Sequence, residues 1–286
     1  SRRSLGAMSL LAELSIATSS EDLLSKLRVL GRELMNSRPN MAPLTNLVGR
    51  LLYVVAAKTD RATSIGEIKL TAVNECRQLI GESESAVHKA AVHASDLMQD
   101  GMTVFTHSRS ATVYEAFRTA VEMGKEMRVI VTESRPLFEG RVAAQELSVM
   151  GIPVTLAVDS AVGGLMDTAN LCLVGADSVL WDGSVVNKIG TFPLAMSAQE
   201  HGRPFYVVCE KSKFNLRSVF ETGIEMEERD RSEVLPYPPY PFMTVRNPYF
   251  DRTPSKFISR LITEDGVLAH EEFHSVFRKM LAETYL

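Results

Sequence analysis

The chain changes texture once, near Gly101, and that change limits what it can become. From Ser4 to Asp100 the apolar residues recur at helical steps and nowhere alternate as in a strand. Leu23, Leu24, Leu27, Leu30 and Leu34 repeat every three or four residues, which places one apolar stripe on one helix face. Ser20, followed by Glu21 and Asp22, reads as the N-cap of that helix. Pro39 ends it, and Asn40 is placed to cap the next. Between residues 64 and 99 a mostly polar pattern carries Ile68, Val73, Leu79, Ile80, Val87 and Val92 as a packed stripe. Residues 1–100 are therefore expected to form a helical domain.

From Gly101 onward, short β-rich runs alternate with helical segments. The runs are Met102–Thr106, Arg128–Thr132, Val154–Val158, Leu171–Val174 and Phe205–Cys209. Such alternation implies a mainly parallel sheet covered on both faces, so residues 101–286 read as an α/β domain. Each run ends in polar residues: Thr106-His107-Ser108, Thr132-Glu133-Ser134, Asp159-Ser160, Gly175-Ala176-Asp177 and Glu210-Lys211. In doubly wound sheets the carboxyl ends of the strands form the ligand crevice, so one site could use all of these ends. The proline-dense stretch 235–241 can be neither helix nor central strand and reads as a surface loop. An apolar run from Phe257 to Thr263, a turn at Gly266 and a last helix from Glu271 to Leu286 close the chain.

Composition narrows the function classes. Of 286 residues, 31 are Lys or Arg and 35 are Asp or Glu, a net charge of −4, so no bulk basic field draws the protein onto nucleic acid. The three cysteines, Cys76, Cys172 and Cys209, form no CxxC pair, which argues against a disulfide framework or a cysteine-rich zinc site and suits a reducing, cytoplasmic setting. The longest apolar stretches, such as residues 51–57, fall far short of the roughly 20 residues that span a bilayer, so no membrane partner is expected. Arg2 and Arg3 precede an apolar segment, but Glu13 interrupts it, so it does not read as a signal peptide.

The sharpest chemical feature is the run from Thr106 to Thr112 at a strand-to-helix junction. Free N–H groups at a helix start, the hydroxyls of Ser108 and Ser110, and the Arg109 guanidinium would cradle a phosphate. The plainer reading is that Ser108 or Ser110 caps the helix, but capping gives no reason for Arg109. No Gly-x-Gly-x-x-Gly or Walker A pattern is present. Asp177 ends an apolar run and stands at the sheet's carboxyl edge, where a carboxylate acts as acid, base or hydroxyl acceptor or simply holds the following turn. The run from Asn187 to Thr191 is read as opening the next helix, with Lys188 able to hold an anion or an enolate-like charge. His107 reads as a proton shuttle or, more often at such places, a hydrogen-bonded structural residue. His270 and His274 lie four apart without a third ligand, so no metal is expected. The charged stretch from Glu225 to Glu233 reads as solvated.

Taken together the motifs resemble the initiation factor 2B α/β/δ family, which includes regulatory subunits of that translation factor and related sugar-phosphate isomerases. The matching stretches are residues 38–42, Thr106-His107-Ser108, residues 132–136 with Glu139-Gly140, Asp159-Ser160-Ala161, residues 174–177, 187–191 and 204–207, and Asn247-Pro248 through residues 251–254. The resemblance implies an N-terminal helical domain joined to a Rossmann-like α/β domain, dimerising through the latter. In the isomerase branches, acting on ribose 1,5-bisphosphate or methylthioribose 1-phosphate, a cysteine follows the Thr-His pair and works with the aspartate of Gly-Ala-Asp. Here the aspartate is retained as Asp177, but Ser108 stands at the cysteine position. An alkyl hydroxyl is a far poorer acid than a thiol of pKa near 8.5. The isomerases' Arg-Gly-Ala phosphate segment is not recognisable before Arg38. Thr-His-Ser is similar to the factor-like branch, whereas Gly-Ala-Asp-Ser and Thr-Glu-Ser-Arg-Pro look closer to the ribose bisphosphate isomerases.

The resemblance thus implies first a regulatory protein, non-catalytic or weakly catalytic, that binds a phosphorylated sugar or nucleotide. Its alternative is an aldose-ketose isomerase. On either reading Ser108, Arg109, Ser110 and Arg135 would hold phosphate, Asp177 a sugar hydroxyl as the catalytic residue, and Asn187, Lys188 and Lys213 the remaining polar groups. No cofactor is implied. A homodimer or higher homo-oligomer and a translation-factor partner are.

Overall fold

In the computed structural model, residues 2–59, 63–220, 226–238, 240–269 and 272–285 are described. The chain divides into two compact units, Ser1–Ser85 and Ala86–Leu286. The first holds helices α1 (Arg2–Leu14), α2 (Ser20–Ser37), α3 (Ala42–Lys58) and the first part of α4 (Ile65–Asp96). Leu23 and Leu27 of α2 are buried with Leu5, Met8, Leu51, Ile68, Val73 and Leu79, so the leucine repeat does mark the packed face. Removing each such side chain from water stabilises the unit by roughly 1.5–3 kcal/mol. Two start signals move. Ser19 rather than Ser20 caps α2, accepting from the Asp22 N–H, because Ser20 is already helical and buried. Helix α3 starts at Ala42 with Met41 at the cap position and Pro43 in the first turn, so Asn40 is not its cap.

The division falls inside α4, ahead of the change of texture at residue 101. Ala90, Ala91, Ala94 and Met98 pack in the second unit's core with Phe117 and Val129. That unit carries β1 (Thr103–His107), α5 (Ala111–Glu122), β2 (Arg128–Thr132), α6 (Glu139–Val149), β3 (Val154–Ala157), a short α7 (Val162–Leu165), β4 (Leu171–Val174), β5 (Ser178–Val179), β6 (Val185–Lys188), α8 (Thr191–Glu200), β7 (Phe205–Val208), β8 (Phe250–Thr253), β9 (Arg260–Thr263), β10 (Gly266–Leu268) and α9 (Phe273–Tyr285).

The main sheet has seven strands in the order β10-β9-β7-β4-β1-β2-β3, all parallel except β10. Its central strands are buried on both faces. In β4, Leu171 and Leu173 pack with Phe117 and Leu147 on one side, while Cys172 and Val174 pack with Leu194 and Phe277 on the other. The apolar stretch after Phe257 becomes β9 and joins this sheet beside β7. A second sheet, β5-β6-β8, is antiparallel. It overturns the expectation that Asn187-Lys188 opens a helix. Both residues close strand β6, and α8 starts only at Thr191, after Gly190. The segment from Glu227 to Glu233 is not simply solvated either, since Glu227, Arg229 and Glu233 are partly buried. Glu225, Glu271 and Leu286 lie outside the described residues.

Candidate functional site

The chain runs outward from β1 to β2 and β3, then returns to place β4 on the other side of β1. A crevice opens at the carboxyl ends where strand order reverses in this way, and there sheets of this kind bind ligands. Ser108, Arg109 and Ser110 follow β1, and Gly175, Ala176 and Asp177 follow β4. The two loops touch so closely that a Cβ on Gly175 would lie 2.5 Å from Ser110 Oγ, so only glycine fits there.

A hydrogen-bonded chain fixes the β1 side. Ser108 adopts a left-handed backbone, φ 62°, and its N–H donates to Ser134 Oγ at 2.8 Å. The Ser134 hydroxyl in turn donates to the Thr132 carbonyl at 3.1 Å. Ser134, also left-handed at φ 61°, is held by Asp159, whose two carboxylate oxygens accept from the N–H groups of Ser134 and Arg135, each at 2.7 Å. Buried His107 joins this chain to the second sheet. Its Nε2–H must donate to the Ile189 carbonyl at 2.7 Å, which leaves Nδ1 to accept from the Thr132 hydroxyl at 2.5 Å. Burial pushes its pKa below the ordinary value, so the ring is a neutral brace whose nitrogens are both engaged rather than a free proton shuttle.

On the other side of His107, Lys188 projects from the end of β6 with its side chain only 4% exposed. Its ammonium donates to Glu139 Oε1 at 2.9 Å and stands 3.7 Å from the centre of the Tyr249 ring. The Tyr249 hydroxyl donates to the same Glu139 oxygen at 2.6 Å. Asp251 faces Asn187 across the β6–β8 ladder and caps α8, accepting from the N–H groups of Gly190 and Phe192 at 2.7 and 3.1 Å. Burial raises the Asp251 carboxyl to about 6, against the lowering effect of these N–H donors.

The remaining site residues expected from the sequence fall into two groups. Ser108, Asp177, Asn187 and Lys188 lie along the crevice or the sheet beside it, with Asn187 buried and donating to Thr191 Oγ1 at 3.0 Å. Among the described residues the Ser108 hydroxyl and the Lys213 ammonium make no hydrogen bond or ion pair, so both are open to a ligand. Arg109, by contrast, is turned onto α6 in a bidentate pair with Glu146, both bonds 2.8 Å. Ser110 caps α5, accepting from the Val113 N–H at 3.4 Å. Arg135 is exposed and lies 4.9 Å from the centre of the Phe138 ring. Sequence reading missed Glu139, Tyr249 and Asp251 as site residues. Glu139-Gly140 and the stretch around Asp251 had surfaced only as parts of motifs, and nothing in one dimension pairs them with Lys188 or α8. Glu210, one of the polar strand ends read from the sequence, is buried beside Thr112 at 3.4 Å with Oε2 unpartnered among the described residues.

No cysteine replaces the one whose position Ser108 occupies. Cys76, Cys172 and Cys209 are all buried, and burial pushes the Cys172 thiol up to about 12. No group of three or more His, Cys, Asp or Glu among the described residues is arranged to hold a metal ion. His270 lies outside them, and His274 packs edge-on to Trp181 with ring centres 4.7 Å apart. No helix among the described residues is long and apolar enough to cross a membrane. A roomier hollow of about 470 Å³ opens at the opposite edge of the sheet, lined by Gly101, Val121, Lys125, Arg128, Gly151 and Pro153. It holds none of the groups described above.

Comparison with known proteins matches residues 1–270 to the model of the initiation factor 2 subunit family. The ribose 1,5-bisphosphate isomerase of Pyrococcus furiosus is 33% identical over 268 residues, covering 92% of this chain and 82% of that protein. The methylthioribose-1-phosphate isomerase of Syntrophotalea carbinolica is 34% identical over 267 residues, covering 88% of this chain and 77% of that one. Among solved structures, the translation initiation factor eIF-2B of Pyrococcus horikoshii superposes with a TM-score of 0.80 at 31% identity, covering 94% of this chain and 89% of that one.

Proposed function

Since the chain belongs to the initiation factor 2 subunit family, we propose that it is an aldose-ketose isomerase acting on a phosphorylated ribose of the ribose 1,5-bisphosphate type. The observation that carries this reading is the 33% identity to a ribose 1,5-bisphosphate isomerase over 92% of the chain. It reverses the order of the two readings drawn from the sequence alone, in which a regulatory ligand-binding protein stood first. Because C1 carries a phosphate, the ring C1–O bond must break, with a proton given to the ring oxygen, as a base removes the C2 proton to leave a C1–C2 enol phosphate. Its C2 hydroxyl then loses its proton, negative charge develops on that oxygen, and a proton added at C1 leaves a ketone at C2 with the phosphate still on C1.

In this reading Asp177 exchanges protons with the sugar, and Lys188 lies across from the developing charge. Ser108 and Lys213, whose polar groups are open, take phosphate together with N–H groups at the start of α5. Asn187 orders the turn below the sugar through Thr191. Arg109, Ser110 and Arg135 complete the phosphate cradle once a ligand draws Arg109 from Glu146. A homodimer formed through the α/β unit accompanies this function.

The regulatory reading keeps one specific observation, the serine at position 108. One experiment separates the two. The protein is incubated with ribose 1,5-bisphosphate while phosphorus NMR follows turnover and calorimetry follows binding. Conversion to the ketose bisphosphate supports the isomerase, and binding without conversion supports the regulatory protein. Neither binding nor conversion of this or other sugar phosphates overturns both.

A further inference from the structure

A buried ammonium is costly unless its charge is matched. Among the described residues Lys188 has one carboxylate in contact, Glu139, at 2.9 Å, and beneath it the Tyr249 ring at 3.7 Å. Glu139 depends equally on Lys188. Its Oε1 receives both Lys188 and the Tyr249 hydroxyl, while Oε2 is buried with no donor among the described residues. The pair is therefore mutually dependent, and it stands beside the crevice rather than on the surface. We propose that Glu139 is a positioning residue, which together with Tyr249 keeps Lys188 protonated and aimed at the ligand and so sets the alkaline limit of phosphosugar binding. The ligand-facing part of this rests on the functional reading above. The ion pair does not.

The other charged groups near Lys188 come from separate elements. Asp159 after β3 and Glu233 add weaker negative fields, and His107 on β1 is neutral. Arg229 lies 5.0 Å from the centre of the Tyr249 ring and is itself paired with Glu227 and Glu233. Burial lowers the Lys188 pKa from the ordinary lysine value, and Glu139 is the first of the influences that raise it. Removing the Glu139 charge leaves burial less opposed, so Lys188 must lose its proton at lower pH.

The test uses the full chain labelled with carbon-13 at the lysine ε-carbons, with the Lys188 signal assigned by its absence in Lys188→Arg. In Glu139→Gln the titration midpoint of Lys188 is expected to fall by about one pH unit or more, a tenfold change in the protonation ratio. Glu139→Asp should restore most of it, and Tyr249→Phe, which keeps the ring, should move it less. A midpoint unchanged in Glu139→Gln overturns the proposal. If that variant does not fold, Glu139→Ala, which also removes the charge, takes its place, and an unchanged midpoint there overturns the proposal. In parallel, calorimetry with ribose 1,5-bisphosphate compares affinity at pH 6.5 and 9.5. The ratio of the two affinities should rise about tenfold in Glu139→Gln, and an unchanged ratio overturns the ligand-facing part. A wild-type protein that binds at neither pH overturns the functional reading, while the titration still decides the role of Glu139.

Discussion

The two edges of the same seven-stranded sheet are built on opposite plans. The amino edge has the open space, about 470 Å³ between glycine turns, with Lys125 spending its ammonium on the Ser95 carbonyl. The carboxyl edge has little free volume but concentrates buried polar groups: His107, Thr132, Ser134, Asn187 and Lys188. Buried polar atoms are tolerated when each finds a partner, and here most partners come from another strand or helix. Room alone therefore does not mark a site. Chemistry gathers where parallel strand ends oblige loops from distant parts of the chain to satisfy one another.

The largest test of this contrast is Asp177→Asn. If Asp177 exchanges protons with the sugar, turnover of ribose 1,5-bisphosphate should fall by about 10²- to 10⁴-fold with the melting temperature nearly unchanged. Equal turnover in variant and wild type would take Asp177 out of the chemistry.

Next comes the pH dependence of stability. Asp251 is raised from 3.8 to about 6 by burial, so the folded state holds its proton more tightly than the unfolded chain. Its contribution is fully present below about pH 3.8 and is lost as pH rises through about 6, by about 3 kcal/mol for two pKa units. Urea denaturation at a series of pH values should show that slope, and Asp251→Asn should flatten it. A wild-type curve flat from pH 4 to 6 would contradict the burial argument.

Ser108→Cys puts a thiol in the β1 loop, and turnover measured at pH 8 should rise about tenfold, because a thiol gives up its proton near neutral pH. Ser134→Ala removes the acceptor of the Ser108 N–H and should cost about 1–2 kcal/mol in denaturant unfolding. The smallest effect belongs to the amino edge. Arg128→Ala, on the rim of the hollow, should change stability by less than about 0.5 kcal/mol and leave turnover as it was. A substantial loss of activity there would break the contrast between the edges.

Much of this architecture was legible in one dimension. The β-rich runs at Arg128–Thr132 and Leu171–Val174 coincide with β2 and β4, and the polar residues that end the runs do stand at the carboxyl edge. Local pattern sufficed because doubly buried strands are short, apolar and bounded by polar residues. It failed at Asn187 and Lys188. Two polar residues closing a wholly buried strand look like a helix start until Thr191, Glu139 and Tyr249 are seen to accept or cover them. The partner of Arg109 was hidden for the same reason, since Glu146 lies 37 residues away in sequence. Partners that meet only in the folded chain leave no periodic trace.

The ladder between β6 and β8 sets Lys188 opposite Phe250 and Asn187 opposite Asp251, more than sixty residues downstream. During synthesis, then, the strands β1, β2 and β4 can assemble long before the strand that steadies Lys188 has left the ribosome, and β9 and β10 come later still. A chain cut short before residue 249 would carry the Ser108 and Asp177 loops while lacking Tyr249, the cap on α8 and the third strand of the small sheet. Completion of the small sheet around Lys188 is thus a late event in the life of the nascent chain.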